Sequence, residues 1–313
     1  MIVKQITKEE YEERLFNKDV FYNRAIFCDY NAEKVEEVYY LLCADEKKER
    51  FLIPFGKSQD ALKAPFSAPF CFPREVSANT SAHHYTNAVE QLIKFAQSIS
   101  VNKVIITFPP SFYFNREISC WINACINCGG KIASWDLNYA LDLIELQNHG
   151  YSNCLKYNGR KNLRLAHERG STIRECRDSN DIKECYEIIK ENRESKGYPL
   201  RMTFEQVEWT RKQAEGKWFC VECENEKIAS AVVFQVTAQI AQVIYWGNLP
   251  GSEGKKPINA LAEFLVTYYT SKGFAYLDIG PSTDRGIPNY GLIDFKESIG
   301  CRTDSKVTVE FKL

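Results

Sequence analysis

Residues 277–300 read LDIGPSTDRGIPNYGLIDFKESIG, and this stretch decides how the second half of the chain folds. A short apolar strand, 274–279, ends at a Gly-Pro pair, because glycine is entropically loose and proline has no N–H to donate to a sheet. A polar loop, 282–290, and a helix follow. Open α/β sheets bind ligands beyond the carboxyl ends of their strands. We therefore expect Asp278 at the strand end and Lys296 on the helix to form either a structural ion pair or part of a site.

The length and charge of the chain set the first limits. Its 313 residues exceed one typical hydrophobic core and predict two domains, 1–150 and 151–313. The 40 basic and 41 acidic residues leave a net charge of −1, so only local clustering can provide an anion site. Charged residues near the start argue against a secretory signal, and no apolar run approaches the roughly 18 residues of a membrane span. We expect a cytoplasmic protein.

Twelve cysteines are scattered through apolar stretches, which is typical of buried free thiols in a reducing compartment. Cys125 and Cys128 lie on a predicted helix, whereas Cys220 and Cys223 lie in a predicted strand and point to opposite faces. Four ligands therefore cannot easily converge, and no histidine lies at ligand spacing. The sequence predicts no metal site, and without a local histidine it gives little support for a reactive thiol.

The first half of the chain predicts strand, helix, hairpin, helix, strand, helix and strand. Thr7 and Glu10 fit a capping box that opens a helix to about Phe16. The segment 61–73 holds three prolines and three phenylalanines, which excludes a helix or a central strand. It is either an ordered loop anchored by aromatic side chains or the wall of a pocket. The last strand of this half is predicted at 139–146, and a linker at 148–151.

The second half predicts a strand, two helices, three strands joined by short connections, and then helix, strand, helix and strand. The short connections indicate an antiparallel meander for the three strands. A clean apolar stripe follows Pro257 at the first position of a helix. The fold class is therefore α/β with a mixed sheet.

Residues 152–170 form the most basic stretch of the chain. Its only acidic residue is Glu168, and its other charged side chains are arginines and lysines. They are either a solvated helix face or an anion-binding face, since arginine matches phosphate with two parallel hydrogen bonds. The basic residues are Lys156, Arg160, Lys161, Arg164 and Arg169.

Three motifs together resemble the FemAB-like branch of the GNAT acyltransferases. They are YNGRKNLR at 157–164, LDIGPS at 277–282, and NYGLIDFKESIG at 289–300, which is similar to the family pattern G-L-x-x-F-K-x-x-F-G with Ile299 in place of phenylalanine. The resemblance covers nearly the whole chain and implies two tandem GNAT-like domains. It also implies transfer of an acyl or aminoacyl group to an amine, often in making cell-envelope polymers.

The resemblance assigns roles to residues of the second half. Lys296 would stabilise the negative charge that develops on the tetrahedral intermediate, and Asp278 would act as base or orient the amine. Tyr290 would donate a proton to the leaving group. The substrate, and any phosphate it carries, would be bound by Arg160, Lys161, Arg164, Tyr245 and Asn289.

The resemblance also places an acyl carrier at 245–248, the end of the fourth strand of the domain, and a pyrophosphate loop at 251–256. N–H groups at a helix start favour anions, and two lysines add charge there. Acyl-CoA is the expected carrier, held by Trp246, Gly247, Gly251, Gly254, Lys255 and Lys256. The family signature Q/R-x-x-G-x-G/A is absent, so a flexible surface turn is the alternative.

Three interpretations remain open from the sequence. The first is an N-acyltransferase acting on an amine of a sugar, a nucleotide-linked compound or a cell-envelope precursor. The second is a Fem-type aminoacyltransferase that uses charged tRNA, which the net charge disfavours because tRNA binding is mostly phosphate electrostatics. The third is a non-catalytic double domain that binds a ligand or partner.

Overall fold

The computed structural model describes residues 1–15 and 20–313, so the expected helix end at about Phe16 lies outside the described residues. The strands are β1 Ile2–Gln5, β2 Glu37–Ala44, β3 Glu49–Ser58, β4 Ala61–Ala64, β5 Arg74–Glu75, β6 Lys103–Thr107, β7 Lys131–Asp142, β8 Thr172–Cys176, β9 Lys217–Cys223, β10 Glu226–Gln235, β11 Ile240–Asn248, β12 Tyr276–Pro281, β13 Thr283–Asp284, β14 Ile287–Pro288 and β15 Arg302–Lys312. The α-helices are α1 Lys8–Arg14, α2 Ala25–Tyr30, α3 Ala82–Ser98, α4 Asn115–Asn127, α5 Leu143–His149, α6 Tyr151–Cys154, α7 Tyr157–Glu168, α8 Ser179–Ser195, α9 Phe204–Gln213, α10 Pro257–Ser271 and α11 Tyr290–Ser298. Short 3-10 helices span Phe21–Asn23, Ala32–Lys34 and Glu253–Lys255. In this described part, no helix has the length and apolarity that crossing a bilayer requires.

The described chain forms two compact units whose bounds differ from the expected 1–150 and 151–313. The first unit consists of Met1–Asn138, Thr283–Pro288 and Asp304–Leu313. The second consists of Tyr139–Ser282 and Asn289–Thr303. The loop expected at 282–290 thus contributes the β13–β14 hairpin to the first unit, where Thr283 donates a hydrogen bond to Asp136.

The first unit contains a mixed sheet. Strands β1, β2, β3, β4, β6 and β15 are hydrogen-bonded in that order. The pairs are antiparallel except β4 with β6, which run parallel from Ala61–Lys103 to Ala64–Ile106. The capping box at Thr7 and Glu10 is present at the start of α1, as the sequence predicts.

The proline-rich segment after β4 is anchored by its aromatic side chains. Phe70 and Phe72 are fully buried, and the Phe70 ring contacts the rings of Tyr22 and Tyr113. A cavity of about 10 Å³ beside Pro65 has room for no more than a water molecule. Residues 65–73 are therefore an ordered loop. The expectation that the segment excludes a central strand is wrong for its first four residues, because Ala61–Ala64 precede the first proline and form β4 between β3 and β6.

The second unit contains the predicted antiparallel meander. Strands β12, β11, β10, β9 and β8 are neighbours in that order, with β11 and β12 parallel and the others antiparallel. The run 228–234 on β10 is buried on both faces, which explains why all its residues except Ser230 are apolar, without alternation. The expected stripe of α10 also packs into this core, with Leu261 and Leu265 fully buried. The mixed α/β fold class is confirmed.

One predicted strand is partly wrong. The strand expected at 139–146 ends at Asp142, because the Asp142 side chain accepts a hydrogen bond from the Glu145 N–H at 3.0 Å and caps α5. The residues expected as a linker, 148–151, instead join α5 to α6 through Gly150, whose φ of 78° favours glycine.

Gly159 allows the close approach of α7 to α11. A Cβ built at this position would lie 1.9 Å from the Ser298 carbonyl oxygen, and the Lys156 N–H donates to that same oxygen at 3.2 Å. A glycine within a helix costs about 1 kcal/mol relative to alanine. The contact between the helices therefore explains a residue that helix propensity disfavours.

We predict that Gly159→Ala destabilises the protein, although alanine is the better helix former. The clash with the Ser298 carbonyl oxygen should outweigh the propensity gain and cost about 1–3 kcal/mol, measured by urea unfolding. Gly254→Ala is the matched control, because a Cβ there meets open space. A more stable Gly159→Ala protein would contradict the packing of α7 on α11.

Candidate functional site

Strands β11 and β12 stop pairing at Gln242 and Asp278, before their carboxyl ends, and we call the region between the unpaired strand ends the opening. Their parallel ladder runs from Ile240–Tyr276 to Gln242–Asp278, whereas β11 continues to Asn248 along β10. The ladder between β10 and β11 shifts after Val243, which leaves Ile244 as an extra residue on β11. A β-bulge bends its strand, so this residue directs the end of β11 away from β12.

Asp278 lies at the last paired position beside this opening and is fully buried. Its Oδ2 accepts a hydrogen bond from Nε2 of Gln242 at 2.8 Å, and its Oδ1 accepts one from the Gly280 N–H at 2.9 Å. The strand pairing sets Gln242 directly opposite Asp278. The carboxylate is thus held in a fixed orientation at the end of β12.

Lys296 reaches the same strand end from α11, and its side chain is buried. Its Nζ donates to the carbonyl oxygens of Ile279, Gly280 and Pro281 at 3.1, 2.8 and 3.0 Å. An ammonium group has three protons, so these three acceptors match its donor capacity. The ring centroid of Tyr139 lies 5.6 Å from Nζ. Burial lowers the pKa of Lys296 to about 8, although the nearby negative charge of Asp278 opposes this shift.

The start of α11 carries two further predicted site residues, Asn289 and Tyr290. The Asn289 side chain caps the helix by accepting a hydrogen bond from the Leu292 N–H at 3.0 Å. Tyr290 is 72% exposed. It precedes Lys296 by six residues, so the two side chains leave the helix about 120° apart. Tyr290 therefore projects to solvent while Lys296 enters the core.

The predicted basic residues of α7 form an exposed face. Arg160, Lys161 and Arg164 are all exposed, and Arg160 also donates to the Leu155 carbonyl oxygen at 2.7 Å. Tyr157 lies on the same face at helical spacing and is 74% exposed. An aromatic ring beside three cations suits an anionic ligand that carries planar rings.

The predicted carrier residues at the end of β11 pack against α8 and α11. The guanidinium of Arg193 lies 5.4 Å from the ring centroid of Tyr245, and the Trp246 ring meets the Phe295 ring at 6.0 Å. Gly247 faces the Asn192 side chain, which would lie within 3 Å of an added Cβ.

The loop 251–256 then leads into α10. Gly251 has a φ of 89° and is exposed, Gly254 faces open space, and Lys256 is the N-cap residue of α10 with a φ of 55°. The Lys255 ammonium pairs with Glu224 at 2.7 Å. In the first turn of α10, the Nδ2 atom of buried Asn259 has no hydrogen-bond partner among the described residues.

The structure adds residues that the sequence analysis did not select. Gln242 and Asn192 hold Asp278 and the end of β11, since Nδ2 of Asn192 donates to the Asn248 carbonyl oxygen at 2.6 Å. Ser282 follows the strand end with a buried Oγ that lacks a partner among the described residues. Gln242 could have been selected from the sequence, because it is a polar residue inside a predicted strand that is otherwise mostly apolar. No local pattern marked the other two.

Several solved protein structures resemble this chain over nearly its whole length. The match to the crystal structure of FemX covers 100% of this chain and 98% of the FemX chain, with 12% sequence identity and a TM-score of 0.71. L-PGS from Bacillus licheniformis covers 99% and 93%, with 12% identity and a TM-score of 0.60. The C-terminal domain of a putative lysylphosphatidylglycerol synthetase from Agrobacterium fabrum covers 97% and 92%, with 11% identity and a TM-score of 0.60. The chain shares the fold of FemX and of these two synthetase structures.

The fold that the sequence motifs implied is therefore confirmed. No protein-family model and no curated protein sequence matches the chain. Among residues 1–15 and 20–313, no group of three His, Cys, Asp or Glu side chains has the geometry of a metal site.

The buried ammonium of Lys296 gives a pH-dependent prediction. Unfolding returns its pKa from about 8 to 10.5, so between these values the unfolded chain holds more protons and stability rises with pH. The stability of the wild type relative to Lys296→Met should therefore increase from pH 8 to pH 10, measured by urea unfolding. Leu265→Ala, which removes no titratable group, should show a constant difference. A Lys296→Met difference that also stayed constant would contradict the burial of this charge.

Proposed function

We propose that the protein transfers an acyl group from an activated carrier to an amine, in the opening between β11 and β12. The observation that carries the proposal is the pair of buried groups, Asp278 and Lys296, at the strand end where the opening begins. The FemAB-like fold supports it, and so does the position of the opening, since open α/β sheets bind ligands at the carboxyl ends of their strands.

The reaction requires an amine nitrogen to attack the carbonyl carbon of the carrier. A C–N bond forms, negative charge develops on the carbonyl oxygen, and the C–S or C–O bond to the carrier then breaks. The proton lost by the amine passes to Asp278 or, through it, to water. The leaving group takes up a proton from solvent, because Tyr290, the donor expected from the sequence, projects to solvent on the other side of α11 from Lys296.

Lys296 would stabilise the oxyanion through its field. All three of its protons already bind carbonyl oxygens, so it would act on the oxyanion at a distance, without a hydrogen bond to the substrate. A charge in a poorly solvated site acts over several ångströms because little water screens it. The same three bonds hold the end of β12 in place, and this preorganisation adds to the electrostatic effect.

The first candidate carrier is acyl-CoA, with a small-molecule or nucleotide-linked amine as acceptor. The bent end of β11 would receive the acyl arm, and the loop 251–256 with the start of α10 would receive the pyrophosphate. Lys256 and the unpartnered Nδ2 of Asn259 are the available donors. Lys255 would contribute less, because Glu224 already pairs with it.

The second candidate carrier is an aminoacyl-tRNA. The exposed basic face of α7 with Tyr157 favours it, as does the FemX match over the whole chain. The name of another neighbour, a putative lysylphosphatidylglycerol synthetase, also denotes a product with an aminoacyl group. Here Arg160, Lys161 and Arg164 would contact phosphates.

We predict that acyl-CoA raises the melting temperature and that Lys256→Ala weakens its binding about 10-fold, the effect of losing one charged phosphate contact. Lys272→Ala, at the opposite end of α10, is the matched control and should bind like the wild type. Calorimetry or thermal shift provides the measurement. If acyl-CoA does not bind but aminoacyl-tRNA does, and Arg160→Ala lowers its salt dependence, the second carrier replaces the first.

Turnover tests the role of Lys296. Replacing it with methionine should lower kcat by about 10²–10³-fold, the usual effect of losing a group that stabilises an oxyanion, with little change in carrier affinity. Lys183→Met on the exposed face of α8 is the control and should keep full activity. Circular dichroism would establish that the variants fold. Unchanged kcat in a folded Lys296→Met protein would exclude this role, and binding without turnover in the wild type would identify a non-catalytic binding protein.

A further inference from the structure

Three cysteine thiols meet in the second unit, away from the opening between β11 and β12. Cys176 is the last residue of β8, Cys185 lies on α8, and Cys220 lies on β9. The Sγ atoms of Cys176 and Cys185 are 3.5 Å apart. The Cys220 thiol also interacts with both of them. All three residues are buried, with 4% exposure for Cys176 and none for the other two.

The local fold brings these thiols together. The register pairs Cys176 with Trp218, so Cys220 projects from the same sheet face two residues further along β9. Asp178 caps the start of α8 by accepting hydrogen bonds from the Asn180 and Asp181 N–H groups, which sets the helix immediately after β8. The buried face of α8 then points Cys185 at the sheet. The sequence spacing of nine residues gave no signal of this contact.

The surroundings favour a thiolate at Cys176. Hydrogen bonds from the Cys185 and Cys220 thiols lower its pKa below the usual range, and the Arg174 guanidinium contributes, whereas burial opposes the shift. The pKa of Cys185 is raised, because its proton is held in the bond to Cys176. The charged groups around the cluster are Arg174 and Glu175 on β8, Arg177 after it, Asp181 on α8, Arg211 on α9, and Lys217 and Glu222 on β9.

A cavity gives small molecules access to this cluster. Its volume is about 240 Å³, and Cys176 lines it together with Ile182 and the charged residues Glu175, Arg177, Arg211 and Lys217. Cys185 and Cys220 do not line it. A small polar oxidant in the cavity would therefore meet Cys176 first, among cations that are paired with Glu175 and Glu208.

We propose that Cys176 and Cys185 are an oxidisable pair, in which a peroxide in this cavity oxidises Cys176 and a disulfide then joins β8 to α8. In the first step the Cys176 thiolate attacks one peroxide oxygen, the O–O bond breaks, and the products are a sulfenic acid and hydroxide. In the second step Cys185 attacks the Cys176 sulfur, the S–O bond breaks, and water leaves with the Cys185 proton. Two thiols are oxidised and one peroxide is reduced to two waters.

The geometry allows this bond with a small movement. A disulfide requires an S–S distance of about 2.05 Å, so the two sulfurs must approach by about 1.5 Å. The modification would fix the first half of α8 to the sheet. The far end of α8 carries Asn192, which holds the end of β11. Cys185 therefore lies on the helix that supports the candidate site, although the cysteine pair is separate from that site.

The test treats the wild-type protein with hydrogen peroxide, alkylates the remaining thiols and maps the peptides by mass spectrometry. The expected first product is a Cys176–Cys185 disulfide, with a loss of two free thiols that a dithiol reductant restores. Cys125 on α4 and Cys128 at its C-cap are an internal control, because burial raises the pKa of both thiols. These two thiols should react with peroxide at no more than about one tenth of the rate of Cys176. Mapping that finds Cys176 and Cys185 both free after other cysteines have reacted would overturn the proposal.

Two variants separate the steps. Cys176→Ser should abolish the fast reaction, whereas Cys185→Ser should stop at a Cys176 sulfenic acid that dimedone traps. In the wild type, the rate should fall less between pH 8 and pH 6 than the rate of a free cysteine peptide, because the thiolate persists at lower pH. An unchanged rate in Cys176→Ser, or a pH dependence equal to that of the peptide, would show that Cys176 is not the reactive thiol.

Discussion

Three hydrogen bonds from one buried ammonium group organise the end of β12. The Nζ atom of Lys296 binds the carbonyl oxygens of Ile279, Gly280 and Pro281, which lie in β12 beyond its last residue paired with β11. Buried carbonyl oxygens need a hydrogen-bond partner, and Lys296 provides it. The bonds also satisfy the lysine, whose burial would otherwise be costly. Each group therefore makes the burial of the other tolerable. The helix that carries Lys296 is held at the strand end by this contact.

The opening beside this strand end has an equally simple cause. One extra residue, Ile244, bends β11 away from β12 while β10 keeps pairing with β11 to Asn248. Asp278 stands at the point of separation, fixed by Gln242 and the Gly280 N–H. The fold thus places the Asp278 carboxylate and the Lys296 ammonium at the same end of β12. Each has its own hydrogen-bond partners, so they do not form a direct ion pair. Such a pair suits a reaction in which a proton leaves and negative charge appears.

Much of this fold follows from local sequence patterns. The apolar stripe of α10, the meander of β9 to β11 and the Gly-Pro break after β12 are each fixed by residues close in the chain. The selection of Lys296 and Asp278 also came from such a pattern. Their partners did not, because backbone carbonyl oxygens have no sequence signature and Gln242 is 36 residues away from Asp278.

The features that sequence patterns missed depend on contacts between distant segments. Gly159 looks unfavourable in α7 until the Ser298 carbonyl oxygen is seen against it. The strand end at Asp142 could not be located, since a run of alternating apolar residues continues into α5. The thiols of Cys176, Cys185 and Cys220 meet only once α8 has packed on the sheet.

The central claim is that the opening between β11 and β12 holds an activated acyl group beside the strand end that Lys296 fixes. A crystal structure of the protein with a hydrolysis-resistant acyl carrier tests this claim most directly. The account predicts the carrier's carbonyl group in the opening, next to Asp278, with Lys296 still bound to the three carbonyl oxygens. A carrier bound elsewhere, with the opening filled by the protein's own side chains, would contradict it.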